Sequence, residues 1–112
     1  MTKPIVTRES LQKMLDDADE VKVQHIIGRA LVVLFNNQTA DEKLSNTTNK
    51  DNGIGFTGAD AHGGCITAKY YKKHNSLRDW QVEKWTRRAR SGYSRITKYH
   101  KQLNEAALAK RA

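Results

Sequence analysis

One apolar pattern constrains the fold of this chain more than any other feature of its sequence. It begins near residue 21, and its apolar side chains recur at intervals of three and four residues: Val23, Ile26, Ile27, Ala30, Leu31, Leu34 and Phe35. Val32 and Val33 widen the stripe until the segment is apolar nearly all round, which is typical of a helix at the centre of a bundle. The pattern therefore predicts a long central helix over residues 21–44. A buried strand over residues 30–35 is the alternative, although the pattern extends well past strand length.

Capping signals predict a shorter helix ahead of the central one. Thr7 is a good N-cap, and Ser10 could take that place if the helix starts later. Apolar residues at helical spacing follow at Leu11, Met14, Leu15 and Ala18. The acidic cluster of residues 16–20 suits the end of this helix and the first turn of the next, where the helix dipole favours negative charge. Residues 1–44 are therefore predicted to form a neutral-to-acidic helical half.

A third helix is expected to begin with Thr57 as its N-cap and to run to about His74. Asp60 lies three residues after Thr57, in an arrangement similar to a capping box. Phe56, which precedes the cap, is expected to be buried. Two consecutive glycines at residues 63 and 64 weaken the first turns of this helix by ~1 kcal/mol each.

Two more helices are predicted in the C-terminal half. Ser76, with Asp79 three residues later, indicates the start of the fourth helix, and Gly92 is expected just past its end. The apolar side of the fourth helix is predicted to comprise Leu77, Trp80, Val82, Trp85 and Ala89. The buried stripe of the fifth helix is predicted to comprise Ile96, Tyr99, Leu103, Ala106 and Ala107.

The loop over residues 45–55 is rich in Asn and Gly, which favour turns, and it separates the two helical halves. Because the sequence has no alternating strand pattern, the predicted fold class is all-α, a single compact bundle of about five helices. At 112 residues the chain has the size of one domain, predicted over residues 1–112. The half over residues 56–112 is predicted to be a basic helical half.

Cysteine content and the length of the apolar segments indicate the cellular compartment of the protein. A lone cysteine, Cys65, cannot form an intramolecular disulfide and suits a reducing compartment. Residues 1–6 lack the apolar region of a signal peptide. The longest apolar run, over residues 30–35, is far short of the ~20 residues that a membrane span needs. These features predict a cytoplasmic protein with no membrane partner.

Charge is distributed very unevenly along the chain. Residues 1–60 carry 7 Lys/Arg and 9 Asp/Glu, a formal net charge of −2, whereas residues 61–112 carry 13 Lys/Arg and 3 Asp/Glu, a net of +10. A positive charge concentrated in one half of the chain destabilises a compact fold through self-repulsion. It therefore indicates a polyanionic partner or an acidic protein surface. The basic half also holds six of the eight aromatic residues, and cations interleaved with Tyr and Trp suit nucleic acid. The alternative is that the cations are solvated helix faces and that most of the aromatics are core.

The predicted binding residues are Arg87, Arg88, Arg90, Arg95, Lys98, Lys101, Lys72 and Lys73. The first three are expected to crowd the last turn of the fourth helix. Arg95, Lys98 and Gln102 share one face of the fifth helix, and a tight turn at Gly92 could merge the two groups. Solvation and the helix dipole would explain one or two cations at a helix end, and the two lysines of the third helix are weaker candidates for that reason.

Metal, nucleotide and catalytic sites are each disfavoured by the sequence. His62 and Cys65 are three residues apart, but a structural zinc site needs four ligands and there is no second pair. The glycines match neither of the glycine-rich phosphate-binding patterns. Cys65 lies among small and apolar residues, which favours an inert core position. We therefore predict no metal, no cofactor, no catalytic residues and no enzyme activity.

The segment over residues 52–68 reads N-G-I-G-F-T-G-A-D-A-H-G-G-C-I-T-A, and residues 98–103 read K-Y-H-K-Q-L. Together they resemble a short module met in phage and mobile-element proteins, sometimes beside helicase-like domains. The matching residues are Gly55, Phe56, Asp60, Gly64, Ala68, Gln81, Tyr99, Gln102 and Leu103. The chain departs from the pattern at a helix start, where it has L-R-D-W-Q in place of the usual threonine and lysine. The resemblance covers about half of the chain and implies a DNA-metabolism, phage or plasmid context.

Two functions fit these observations. The first is a non-enzymatic protein that binds nucleic acid, DNA more than RNA, through the basic face of its C-terminal helices. The alternative is a phage or plasmid inhibitor, for example of anti-CRISPR type. Its basic face would dock on an acidic surface of a host defence protein or nucleoprotein complex. The sequence does not separate the two, because both use the same charges.

Overall fold

The computed structural model describes residues 6–37 and 55–111. Residues 110 and 111 are described by their backbone alone. Within these ranges the chain forms five α-helices and a short 3₁₀ helix, and its one strand-like feature is a bridge between Arg88 and Ser94. The elements are α1 (Arg8–Asp17), α2 (Glu20–Asn36), α3 (Gly58–His74), α4 (Asp79–Thr86), the 3₁₀ helix (Arg95–Tyr99) and α5 (His100–Arg111). The predicted all-α fold class is confirmed. Of the loop predicted over residues 45–55, residues 45–54 lie outside the described residues.

The two N-terminal helices begin where their capping residues predict. The Thr7 hydroxyl accepts a hydrogen bond from the backbone N–H of Ser10 at 3.0 Å, and the Ser10 hydroxyl accepts one from the N–H of Thr7 at 2.8 Å. Asp19, in the acidic cluster, caps α2 by accepting a hydrogen bond from the N–H of Lys22 at 2.8 Å. These bonds satisfy N–H groups that the first turn of each helix leaves unpaired.

The central helix α2 lies at the centre of the core, as its apolar pattern predicts. Ile27, Leu31 and Leu34 have no exposed surface, and α2 packs against α3, α4 and α5. The helix ends at Asn36, earlier than the predicted residue 44. Residues 38–44 of the predicted helix lie outside the described part of the chain.

Two glycines allow close packing around α3. A Cβ at Gly28 of α2 would clash with the ring of Tyr71, and a Cβ at Gly64 would lie 2.5 Å from Cε1 of Phe56. Phe56 is 1% exposed, as predicted, and it packs edge-to-face on Tyr99 with ring centres 6.0 Å apart. The segment that precedes α3 is therefore pinned to the core by one aromatic ring.

The fourth helix is shorter than the sequence predicts. It begins at Asp79 rather than near Ser76, because Arg78 is its N-cap and the backbone N–H of Arg78 donates to the side chain of Gln81 at 2.8 Å. It ends at Thr86. The three arginines predicted on its last turn therefore follow the helix instead of belonging to it.

Residues 87–94 form a tight turn rather than the end of a helix. The N–H of Gly92 donates to the carbonyl of Ala89 at 3.0 Å, and the N–H of Arg95 donates to the carbonyl of Arg87 at 3.0 Å. Gly92 has a φ of +85°, a left-handed conformation that favours glycine. The prediction that Gly92 ends the fourth helix is therefore wrong, since it completes this turn.

The predicted fifth helix is present, and its first turns are the 3₁₀ helix. Ile96, Tyr99 and Leu103 are buried as predicted, whereas Ala106 and Ala107 are half-buried. None of the helices in the described ranges has both the length and the apolar character that crossing a membrane requires.

Candidate functional site

A concave surface of about 650 Å³ lies between α4, the turn over residues 87–94, the 3₁₀ helix and the start of α1. It is lined by Arg8, Trp80, Glu83, Lys84, Arg87, Arg88, Ala89, Ser94, Arg95 and Lys98. We call it the basic cleft, because six of these ten described residues are Lys or Arg and one is acidic. A cleft lined by one sign of charge concentrates its field on the space that it encloses.

One face of α4 forms a wall of the basic cleft. Trp80, Lys84 and Arg87 lie at positions i, i+4 and i+7, and Glu83 lies beside them. The Arg87 guanidinium lies 3.2 Å from the Glu83 carboxylate, and these side chains are 72% and 71% exposed. An ion pair so exposed contributes about 0.2–1 kcal/mol, so Arg87 can exchange this partner for an incoming anion at little cost.

Asp60 supports the floor of the basic cleft, which Arg95 and Lys98 form. The Asp60 carboxylate is fully buried, and its Oδ1 accepts hydrogen bonds from two nitrogens of the Arg95 guanidinium, one of them Nε at 2.9 Å. Its Oδ2 accepts from the Lys98 amine and from the Tyr99 hydroxyl, each at 2.5 Å. Arg95 and Lys98 nevertheless keep 38% and 37% of their side-chain surfaces exposed. The buried carboxylate thus fixes two cations whose outer surfaces line the cleft.

The hydrogen bonds to Asp60 keep its buried carboxyl ionised. Burial alone would raise the pKa of Asp60, but hydrogen bonds from Lys98, Tyr99 and Arg95 outweigh it and hold the pKa below the ordinary value of 3.8. Burial, followed by the hydrogen bond to Asp60, raises the pKa of Tyr99, so its phenol stays a neutral donor. One carboxylate and two cations leave the cluster with a formal charge of +1.

The predicted capping role of Asp60 is wrong. Thr57 is the N-cap of α3, as predicted, but the cap forms no side-chain hydrogen bond. The carboxylate of Asp60 is directed to the 3₁₀ helix instead. Two cations and a phenol surround this buried negative charge, and a buried charge needs partners of opposite charge as well as hydrogen bonds.

The turn over residues 87–94 is fastened to α1. Arg88 donates from one terminal nitrogen to both carboxylate oxygens of Asp16, at 2.9 and 3.1 Å. The buried side chain of Gln12 donates to the hydroxyl of Ser94 at 3.1 Å and accepts from the backbone N–H of Ser94 at 2.6 Å. These bonds hold one edge of the basic cleft in place.

Arg8 and Lys84 are cleft cations that form no ion pair within the described ranges. Arg8 is the first residue of α1, where the helix dipole disfavours a cation, and its guanidinium lies 4.6 Å from the centre of the Tyr93 ring. The Lys84 amine lies 5.6 Å from the Trp85 ring centre and occupies space that a side chain at Gly63 would fill. No carboxylate in the described ranges therefore neutralises their charges, although Arg8 also donates hydrogen bonds to the hydroxyls of Thr97 and Ser91.

The basic cleft brings together half of the predicted binding residues, namely Arg87, Arg88, Arg95 and Lys98. The other four are exposed and do not line it: Arg90 in the turn, Lys101 in the first turn of α5, and Lys72 and Lys73 near the end of α3. The predicted merging of the cations of the two C-terminal helices is therefore only partial, because Arg90 and Lys101 do not line the cleft.

Sequence reasoning missed six of the ten residues that line the basic cleft, among them its two other cations, Arg8 and Lys84, and its aromatic residue, Trp80. The sequence pattern places Trp80 with Trp85 on the apolar side of the fourth helix, but five residues turn an α-helix by ~140°. Trp85 is fully buried, whereas Trp80 is 63% exposed. The helical spacing of Trp80, Lys84 and Arg87 is the sequence signal that could have identified the α4 wall of the basic cleft. Arg8 lies in the other half of the chain, and only the fold brings it to the cleft.

The residues that resemble the phage and mobile-element module support the basic cleft from beneath. The N–H of Gly55 donates to Oε1 of Gln102 at 2.7 Å, and Nε2 of Gln102 donates to the carbonyl of Gly55 at 3.0 Å. Phe56, Asp60 and Tyr99 form the aromatic contact and the buried carboxylate cluster described above. Of the K-Y-H-K-Q-L segment, Lys98 lines the cleft, whereas Gly55, Phe56, Asp60, Tyr99 and Gln102 do not.

His62 and Cys65 do not converge on a common site, since His62 is exposed and Cys65 is buried in the core. Among the residues that the structure describes, no three His, Cys, Asp or Glu side chains are grouped so that they could hold a metal ion.

Comparison of the chain with protein-family models, curated proteins and solved structures found no significant match.

Proposed function

We propose that this protein is a non-enzymatic nucleic-acid-binding protein and that its basic cleft receives the phosphate backbone. The observation that carries the proposal is the lining of the cleft, where six cations and one carboxylate surround a concave space. Cations that neutralise phosphates release condensed counterions, which supplies affinity independent of sequence. The resemblance of residues 52–103 to a phage and mobile-element module favours DNA over RNA.

Nearby carboxylates leave the basic cleft with excess positive charge. Asp16, Asp60 and Glu83 each pair with at least one lining cation. Six cations against three carboxylates leave a formal net charge of +3. Because this charge is concentrated in one concave surface, it favours a partner with several closely spaced negative charges.

An acidic protein surface is a second candidate partner, as in a phage or plasmid inhibitor of a host defence complex. The observation that favours it is the presence of both Trp80 and Arg87 in the cleft lining, because Trp and Arg commonly anchor protein interfaces. Such a partner would bind at a fixed stoichiometry through a few anchors. Nucleic acid would instead be held by all the cations that meet a phosphate.

Fluorescence anisotropy with labelled DNA oligonucleotides tests the first candidate. We expect Lys84→Ala and Arg87→Ala to weaken binding roughly 5- to 10-fold each at ~0.1 M salt, because one phosphate contact changes log K by ~0.9 per decade of salt. The matched control is Lys73→Ala, which removes an exposed cation outside the cleft and should change affinity less than about 2-fold, since its charge is screened.

Poly-L-glutamate is the second titrant, because it is polyanionic without phosphates or bases. Oligonucleotide binding that is weakened by the cleft variants and not by the control supports the proposal. Absence of binding to any oligonucleotide would overturn it. If poly-L-glutamate alone binds and the cleft variants weaken that binding, an acidic protein becomes the better candidate.

A further inference from the structure

Trp80 is exposed at the basic cleft. The exposed large apolar residues of the described chain are Met14, Val21, Ile66 and Trp80, and of these Trp80 alone lines the basic cleft. The buried side of α4 is occupied by Gln81 and Trp85, which are 3% and 0% exposed. The Trp80 indole therefore contributes little to the core, and its ring is available to a ligand.

Cations follow Trp80 along the same face of α4. Lys84 lies about one turn further on in α4, and Arg87, the residue that follows the helix, lies about two turns further on, so the backbone positions of the three residues span ~10 Å along the helix axis. The floor adds a further donor, Arg95. Asp60 occupies Nε and one terminal nitrogen of Arg95, and a guanidinium has five N–H donors, so others remain for a phosphate.

We propose that the ligand of the basic cleft is an unpaired strand, with one base stacked on Trp80 and the adjacent phosphates held by Lys84, Arg87 and Arg95. This inference rests on the proposed function and names its ligand class. The bases of a duplex stack on one another, so their faces are covered. An unpaired base can offer its face to an indole, and every base has such a face, so the contact tolerates sequence variation.

Trp80→Ala and Trp80→Phe test the inference by anisotropy with three ligands: oligo(dT), a duplex of the same length, and a single strand with abasic sites. Trp80→Ala should weaken oligo(dT) binding about 5- to 150-fold, because stacking one base on an aromatic ring contributes ~1–3 kcal/mol. It should change affinity for the duplex and the abasic strand less than about 2-fold, since neither offers the stacked contact. Trp80→Phe keeps a ring and should retain most of the affinity.

Val21→Ala is the matched control, because Val21 is an exposed apolar residue of α2 outside the cleft. It should leave binding of all three ligands unchanged. Tryptophan emission gives a second measurement, with the fully buried Trp85 as an internal reference. Oligo(dT) should quench the emission of the wild-type protein, and the quenching should disappear in Trp80→Phe.

The outcomes separate this inference from the proposed function. If Lys84→Ala and Arg87→Ala weaken oligo(dT) binding and Trp80→Ala does not, the stacking inference is overturned while nucleic-acid binding stands. An equal loss for duplex and single strand in Trp80→Ala also overturns it. If no oligonucleotide binds to the wild-type protein, both proposals fail.

Discussion

At the scale of single residues, the buried carboxylate of Asp60 connects the core to the basic cleft. It lies behind Arg95 and Lys98, neutralises one of their two charges, and sets the positions of both cations. Its other partner is Tyr99, whose ring packs on the buried Phe56. A change at Asp60 should therefore affect both the stability of the fold and the geometry of the cleft floor.

Asp60→Asn should lower the free energy of unfolding at neutral pH by about 1.5–3 kcal/mol, the usual contribution of a hydrogen bond to a charged group. The folded-state pKa of Asp60 is depressed, so its stabilisation is present above the unfolded value near 3.8 and is lost as pH falls through the folded value. Urea denaturation at several pH values measures this. The difference between wild type and Asp60→Asn should be constant above about pH 5 and should shrink below it.

Asp17→Asn is the control for this experiment, because Asp17 is an exposed carboxylate of α1. It removes the same charge without opening the buried cluster and should change stability by less than about 0.5 kcal/mol. A stability difference for Asp60→Asn that stays the same down to ~pH 2 would show that ionisation of the buried carboxyl is not the source of the effect.

The role of Asp60 could not be predicted from the sequence, whereas the positions of its partners could be in part. Helical spacing correctly places Arg95 and Lys98 on one face. It does not reveal that this face meets a carboxylate 35 residues earlier in the chain. From the local sequence, Asp60 is expected to help cap the helix that begins after Thr57. In the folded chain its carboxylate instead binds side chains of residues 95–99, because these contacts satisfy its buried charge.

At the scale of elements, adjacent glycines of α3 have different neighbours. A Cβ at Gly64 would meet the ring of Phe56, which is itself held in the core. A Cβ at Gly63 would meet the amine of Lys84, which is the far end of a flexible side chain. The sequence predicts that both glycines weaken the helix, and the structure gives a packing reason for Gly64.

These neighbours predict opposite effects for two matched substitutions. Gly64→Ala should lower the free energy of unfolding by up to ~2 kcal/mol, because overpacking a core costs ~1–3 kcal/mol and better helix propensity returns ~1. Gly63→Ala should raise it by up to ~1 kcal/mol, since the amine of Lys84 can move aside. Urea denaturation of both variants measures the difference. Equal stabilities would contradict the close packing of Phe56 on α3.

The α4 helix shows how far periodicity predicts an element. It correctly predicts a helix whose inner side carries the buried Trp85, but it includes Leu77, which is buried and precedes the helix. It fails at the end of the helix, where Arg88 binds Asp16 of α1 and the chain turns. Because that partner belongs to another helix, no local pattern indicates the stop.

At the scale of the whole molecule, the fold and the basic cleft depend on different residues. One hydrophobic cluster joins buried side chains of α1 to α5, with Ile27, Leu31 and Leu34 fully buried. This core could be predicted because apolar spacing is local to each helix. The cleft could be predicted only in part, because it joins Arg8 of the acidic half to cations of the basic half.

Two substitutions should show that the core residues stabilise the fold and that the exposed cleft residue Trp80 does not. Leu31→Ala should lower the free energy of unfolding by about 2–5 kcal/mol, through lost burial and a residual cavity. Trp80→Ala removes an exposed side chain and should change it by less than about 0.5 kcal/mol. Chemical denaturation followed by circular dichroism measures both. A large loss of stability in Trp80→Ala would indicate that this indole is part of the core.

The salt dependence of oligonucleotide binding tests the central claim, that the cations of the basic cleft contact phosphates, most directly. Log K should fall linearly with log salt, and the double variant Lys84→Ala/Arg87→Ala should reduce the magnitude of the slope by ~1.4 on a single strand, or ~0.7 per lost contact. Lys73→Ala should leave the slope unchanged. A slope that is the same in the wild type and the double variant, or reduced as much by Lys73→Ala, would contradict the account.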